Sequence, residues 1–226
     1  MTRRLLVCAL IAMRLEAQVG HLPEKSPYVD LEFKHHVTLN VGYMSPSAGP
    51  AGVAPKPGPM VEGRYDIAIG GPANVTFRVG ALQSTRDVKD PFAAPANRVL
   101  GEKSSNLLLA DLGITLNLTG RKSFHRLVPT FGAGVGIVSD FVTAPDPGGY
   151  NFGTKFAFTF GPSVRWHSGR RLEAGVSLTN RVWQTKYPEF YRANLAGTPL
   201  VPQTASLSAF NSNWAFTSGL SWHFYR

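Results

Sequence analysis

The stretch NWAFTSGLSWHFYR, residues 213–226, separates into two lists when every second residue is taken. Trp214, Phe216, Ser218, Leu220, Trp222 and Phe224 make one list, almost all large and apolar. Ala215, Thr217, Gly219, Ser221, His223 and Tyr225 make the other, mostly small or polar. A period of two marks a β-strand whose two faces meet different surroundings. The question this stretch raises is what its apolar face touches.

The same period recurs seven more times, around 35–44, 64–70, 74–86, 107–119, 127–141, 155–167 and 171–182. In 107–119, for example, Leu108, Ala110, Leu112, Ile114, Leu116 and Leu118 alternate with Leu109, Asp111, Gly113, Thr115, Asn117 and Thr119. No segment shows a sustained helical period. The connections between the eight expected strands alternate in length. Those near 45–60, 88–105, 142–154 and 186–211 are long and rich in Pro, Gly, Ala and Ser, as in PSAGPAGVAPKPGP; GPA, GRKSFHR and SGR are short. Long loops therefore gather at one end and tight turns at the other.

Eight antiparallel strands in chain order most simply close into an up-and-down barrel, which removes the exposed sheet edges. A water-soluble carrier barrel would turn the apolar face inward, and a membrane barrel would turn it outward. The polar face is dominated by Gly, Ser, Thr and Asn with sparse charge, which suits a cramped interior better than a water-washed exterior. The apolar face also has the right height: ten residues from Trp214 to Phe224 rise about 34 Å along the strand, roughly 24 Å along the bilayer normal at a 45° tilt. Aromatic residues gather near its ends. Trp166, Trp222 and Phe224 are expected at the short-turn end, and Tyr43, Tyr65, Phe141, Phe156 and Trp214 at the long-loop end, as interface girdles. The reading is an all-β, eight-stranded antiparallel transmembrane barrel.

Composition agrees. Of 226 residues only 16% are charged, 23 are Gly and 11% are aromatic, a mix for strands and turns rather than helices. The basic start MTRR, the apolar run LLVCALIAM and the following RLEAQ read as a secretion signal over residues 1–17, cleaved after Ala17. Nine apolar residues are too few to span a bilayer as a helix. The one cysteine, Cys8, falls in that segment, so the mature chain is expected to hold no disulfide, no Cys-ligated metal and no Cys nucleophile. Without residues 1–17 the chain keeps 20 basic against 13 acidic side chains. No dense Lys/Arg run or nucleic-acid motif accompanies that charge, so nucleic acid is not an expected partner.

With these strands and the aromatic ending GLSWHFYR, residues 34–226 resemble the small eight-stranded outer membrane barrels of Gram-negative bacteria, the type of outer membrane protein A and outer membrane protein W. The resemblance implies short turns in the periplasm, long loops at the cell surface, residues 18–33 as a periplasmic N-terminal segment, and contact with outer membrane lipid and lipopolysaccharide. It also implies an outward aromatic on the closing strand that the barrel assembly machinery reads. Phe224 has that phase, although Tyr225 and Arg226 follow it.

The inward charges make a second pattern. With GPA and SGR as three-residue turns, Asp66 falls opposite Arg78, and Glu173 opposite Arg165. These pairs, with Arg64, Asp111 and Arg181, are expected to form a polar network that plugs the lumen. Independent residues facing lumen water are the competing picture. Glycines at alternate positions in GAGVG (132–136) are expected to leave lumen space for larger neighbours.

Histidines 35, 36, 125, 167 and 223 all fall at the short-turn end. His167 and His223 face inward with a strand between them, which makes a poor metal pair, so neither a metal nor a cofactor is expected. Some barrels of the resembled type modify lipid A with a His, a Ser and an acid near the outer leaflet. No such set stands in the long loops or on the outward face here, so the chain is not expected to be an enzyme. The leading expectation is a monomeric barrel with a structural or surface-interaction role. Narrow passage of small solutes, with anions favoured by the inward Arg and Lys, is the second.

Overall fold

The computed structural model describes residues 26–142, 144–168, 171–193 and 198–224. The expected leader at 1–17, and Tyr225 and Arg226, lie outside the described residues. Among the described residues the strands are β1 (Tyr28–Asp30), β2 (His35–Ser45), β3 (Gly58–Gly70), β4 (Ala73–Leu82), β5 (Thr85–Lys89), β6 (Val99–Ser104), β7 (Leu107–Asn117), β8 (Lys122–Phe124), β9 (Leu127–Ser139), β10 (Thr154–His167), β11 (Leu172–Lys186) and β12 (Ser208–Phe224). Eight of them, β2, β3, β4, β7, β9, β10, β11 and β12, pair antiparallel with their neighbours in chain order. The ring closes where β12 lies along β2, from Trp214 opposite Ser45 to Phe224 opposite His35. Closure leaves no barrel strand with an open edge.

The apolar face is outside. Leu39 is 62% exposed, Phe216 57% and Leu220 63%, while Arg78 and Arg165 are buried within the barrel. This excludes a carrier whose rings converge on a central cavity. An apolar surface continuous around a cylinder far exceeds what a water-soluble monomer exposes, and it matches the lipid-facing belt of a membrane barrel.

Three elements depart from the sequence expectation. β3 begins at Gly58 rather than 64, because Met60 and Glu62 carry on the inward parity of Arg64 and Asp66. Tyr65 therefore sits opposite Val37 at the short-turn end, not at the long-loop end. The expected strand 74–86 stops at Leu82, and the chain restarts as β5, which pairs with β6 in a hairpin that leaves the wall. The short link GRKSFHR is not a bare turn: it contains β8, which pairs with β1 and fastens the N-terminal segment to that end of the barrel.

The first tight turn sets a register. Gly70 and Gly71 have φ of 141° and 53°, conformations that side chains disfavour. They allow Gly70 to pair with Ala73 past an irregularity after Ala68. The link is thus one residue shorter than a three-residue turn, and the pairing shifts by two residues.

The interior has two storeys. Toward the long loops, inward Met44, Met60, Leu82, Leu107, Leu109, Val138, Ala157, Trp183 and Ala215 pack with Phe152 from a loop into an apolar core. This corrects the expectation of a polar inner face throughout. Below it lie the charged residues. Gly136 makes room there: a Cβ at that position would stand 2.6 Å from Cβ of Asp111.

Candidate functional site

The charged storey joins side chains from across the lumen. Arg181 on β11 donates through Nη2 to Glu62 on β3 and stands 3.8 Å from Asp111 on β7. Arg78 on β4 places Nε 3.2 Å from Asp111 Oδ1. Arg64 binds Asp66 two residues along its own strand, at 2.8 Å, and donates to Thr115 Oγ1 at 3.1 Å. Thr76 also donates to Asp66, and Asn40 donates to Glu62 at 3.3 Å. Arg165 stands 3.6 Å from Glu173 and donates to Asn117 Oδ1 at 3.0 Å.

These contacts place the sequence candidates, with changed partners. Asp66 is opposite Thr76, and Arg78 is opposite Arg64 across β3–β4 and opposite Asp111 across β4–β7. The expected Asp66–Arg78 opposition is not formed, because of the shorter first turn. Glu173 is opposite His167, and Arg165 is opposite Gly175. Arg165 still reaches Glu173, but along the diagonal rather than straight across. Glu62 is a further member, outside the strand expected from the sequence, which starts at 64 where β3 starts at Gly58. Its signal was present: Met60, Glu62, Arg64 and Asp66 are equally spaced at period two. With Glu62 included, acids 62, 66, 111 and 173 face arginines 64, 78, 165 and 181 in equal number. A low-dielectric interior holds such charges only in company, because an unpaired buried ion is the costly state.

The interface aromatics are all exposed: Tyr43, Tyr65, Phe141, Phe156, Trp166, Trp214, Trp222 and Phe224. Apart from Tyr65 they keep their expected ends. Tyr65 stacks on His35, whose Nδ1 lies 2.9 Å from the phenol oxygen.

The long loops, 46–57, 83–106, 140–153 and 187–207, converge on one another in their described parts. A second apolar cluster gathers Ala51, Val53, Tyr150, Tyr187, Tyr191 and Val201 from the first, third and fourth loops. Tyr150 stacks on Tyr187 and Tyr191 at ring distances of 5.8 and 6.1 Å. Arg86, fully buried, pairs with Asp146 of the third loop and lies 5.3 Å from the centre of the Tyr150 ring. Lys89 donates to the carbonyl of Ala51 at 2.8 Å, and Arg98 to that of Thr198 at 2.6 Å. Burial disfavours the Arg86 charge, but the bond to Asp146 outweighs it and holds the guanidinium above its ordinary range. Burial pushes the Tyr150 and Tyr191 phenols well up, so both stay protonated. The four loops make one cap.

No protein-family model matches the chain, and no curated protein matches it in sequence. Solved structures do match. Neisserial surface protein A superposes with a TM-score of 0.53 at 9% identity, over 84% of this chain and 97% of that one. The outer membrane protein OprG of Pseudomonas aeruginosa superposes with a TM-score of 0.51 at 9% identity, over 87% of this chain and 99% of that one. With so little identity, the shared property is the path of the backbone: the fold of this chain is that of the small eight-stranded barrels of the bacterial outer membrane.

Proposed function

We propose that the chain is a closed barrel of the outer membrane that holds a structured cap at the cell surface, with a structural or surface-interaction role and no enzymatic one. On this reading residues 1–17 are the secretion signal, 18–33 a periplasmic segment and 34–226 the barrel. Lipid and lipopolysaccharide surround the belt, and the barrel assembly machinery reads the closing strand. The single observation that carries the proposal is the buried Arg86–Asp146 pair, which ties the second loop to the third beneath stacked tyrosines. A loop system free to move aside for solutes would not bury an ion pair between its members.

The lumen supports the same reading. An apolar core sits on a charge network with equal numbers of acids and arginines, and together they act as a plug. The balance also removes the excess of inward positive charge on which anion passage depended. Planar-bilayer recording on the purified barrel tests this directly. Wild type is expected to give no stepped conductance. Reproducible steps with anion selectivity would replace the proposal with the narrow-passage reading.

A further inference from the structure

Four neighbouring wall strands, β10, β11, β12 and β2, each send one side chain to the short-turn end of the lumen: His167, Glu173, His223 and His36. The strand between His167 and His223 does not separate them. It supplies Glu173, whose Oε1 lies 2.9 Å from His167 Nδ1 and 3.2 Å from His223 Nε2. One ring nitrogen each of His36 and His223 and a carboxylate oxygen of Glu173 lie within 4.8 Å of one another.

Two further facts mark this cluster as a built site. All four residues are at most 5% exposed. Yet neither ring nitrogen of His223 has a hydrogen-bond partner, and neither does Oε2 of Glu173. The 3.2 Å approach of His223 to Glu173 is close enough for an ion pair without being aligned as a hydrogen bond. Buried polar atoms are normally partnered; here His223 Nδ1 has no hydrogen-bond partner, and His223 Nε2 and Glu173 Oε2 have only ionic neighbours, at 3.2 Å and 3.6 Å, so the two side chains point to a ligand that accepts a lone pair from each.

We propose that His36, His223 and Glu173 bind a divalent transition metal of the zinc, copper or nickel class. Neutral imidazoles with one carboxylate suit these ions, whereas calcium and magnesium want oxygen donors. Ligand atoms arranged tetrahedrally about such an ion stand about 3.4 Å apart, given metal–nitrogen bonds of about 2.1 Å. The cluster therefore needs only side-chain contraction. His167 is a positioning residue, holding Glu173 through Nδ1 as metal-bound carboxylates are commonly held. Arg165 is the competitor, with Nη1 3.2 Å from His36 Nδ1. It gives way toward Asn117, which it already contacts. His36 also lines the cleft at the barrel mouth, the entry route, and the Phe33 ring covers His223 at 4.3 Å.

The test is Cu2+ titration of the purified, folded, untagged barrel in detergent, read by binding stoichiometry and by EPR. One equivalent is expected to bind with two imidazole nitrogens in the spectrum. His36→Phe and His223→Phe should each weaken binding at least tenfold, while a variant with His21, His35 and His125 replaced by Ala should bind as wild type. Binding that survives in the Phe variants, or that disappears in the Ala variant, overturns the proposal. Should the Phe variants fail to fold, as judged by gel mobility before and after heating, the wild-type spectrum decides. Two imidazoles in a single saturable site support the proposal, and one or none refutes it.

Discussion

Arg181 on β11 and Glu62 on β3 meet inside the barrel although two strands, β12 and β2, lie between them in the wall. The contact spans the lumen rather than a ladder, so it ties together parts of the cylinder that backbone pairing does not. Arg181→Met leaves Glu62 as an uncompensated buried charge and is expected to cost about 3–5 kcal/mol. Adding Glu62→Gln should restore most of that loss. Urea unfolding in lipid vesicles, followed by tryptophan fluorescence, measures both; strictly additive losses would show that the two do not act as a pair.

Leu220 stands near the middle of the outward belt on β12, and Tyr43, on the neighbouring β2, near the long-loop end. Leu220→Arg is expected to destabilise the folded barrel in vesicles by about 2–4 kcal/mol, and Tyr43→Arg by about 0–1 kcal/mol. Equal costs at the two positions would mean that the belt does not cross hydrocarbon in this orientation.

Arg86→Ala removes the nearer cation of buried Asp146, leaving Lys103 at 3.8 Å, and removes the cation over the Tyr150 ring. Trypsin added outside intact cells is expected to cut the second loop, which carries Lys89, Arg98 and Lys103, several-fold faster, with the barrel remaining folded by heat-modified gel mobility. Arg86→Ala with Asp146→Ala should recover part of the resistance, because no lone charge stays buried. Unchanged cleavage would show that the cap does not depend on this pair.

Tyr150 and Tyr191 give the cap a pH limit. Burial holds both phenols above their ordinary value. Opened loops release these protons above about pH 10, where the closed cap retains them. The stability they contribute is therefore complete below that pH and falls as pH rises further. Absorbance at 295 nm should show late-ionising phenols, fewer in Tyr150→Phe, and loop proteolysis should accelerate above about pH 10. All tyrosines ionising together in the intact protein would contradict the burial.

Much of this was legible in the chain, for a simple reason. A barrel wall imposes the same two-residue period on every strand, and lipid imposes one chemistry on every outward position. Trp214, Phe216, Leu220 and Trp222 state both rules at once. What escaped the reading depended on short links. One residue fewer at Gly70–Gly71 moved Asp66 from Arg78 to Thr76, because register is set by turn geometry. Glu62 and Trp183 were passed over because strand ends near loops carry few flanking repeats by which to recognise them.

Strand number, strand order and the face turned to lipid follow from the sequence alone, since periodicity and solvent preference are local properties read residue by residue. Tertiary structure decided which charges share a bond, that four loops close into one cap, and that His36, His223 and Glu173 meet at the barrel mouth. Those are contacts across the lumen and between loops. They depend on how far each strand is sheared past the next when the sheet closes, a quantity that belongs to the whole ring and to no single strand.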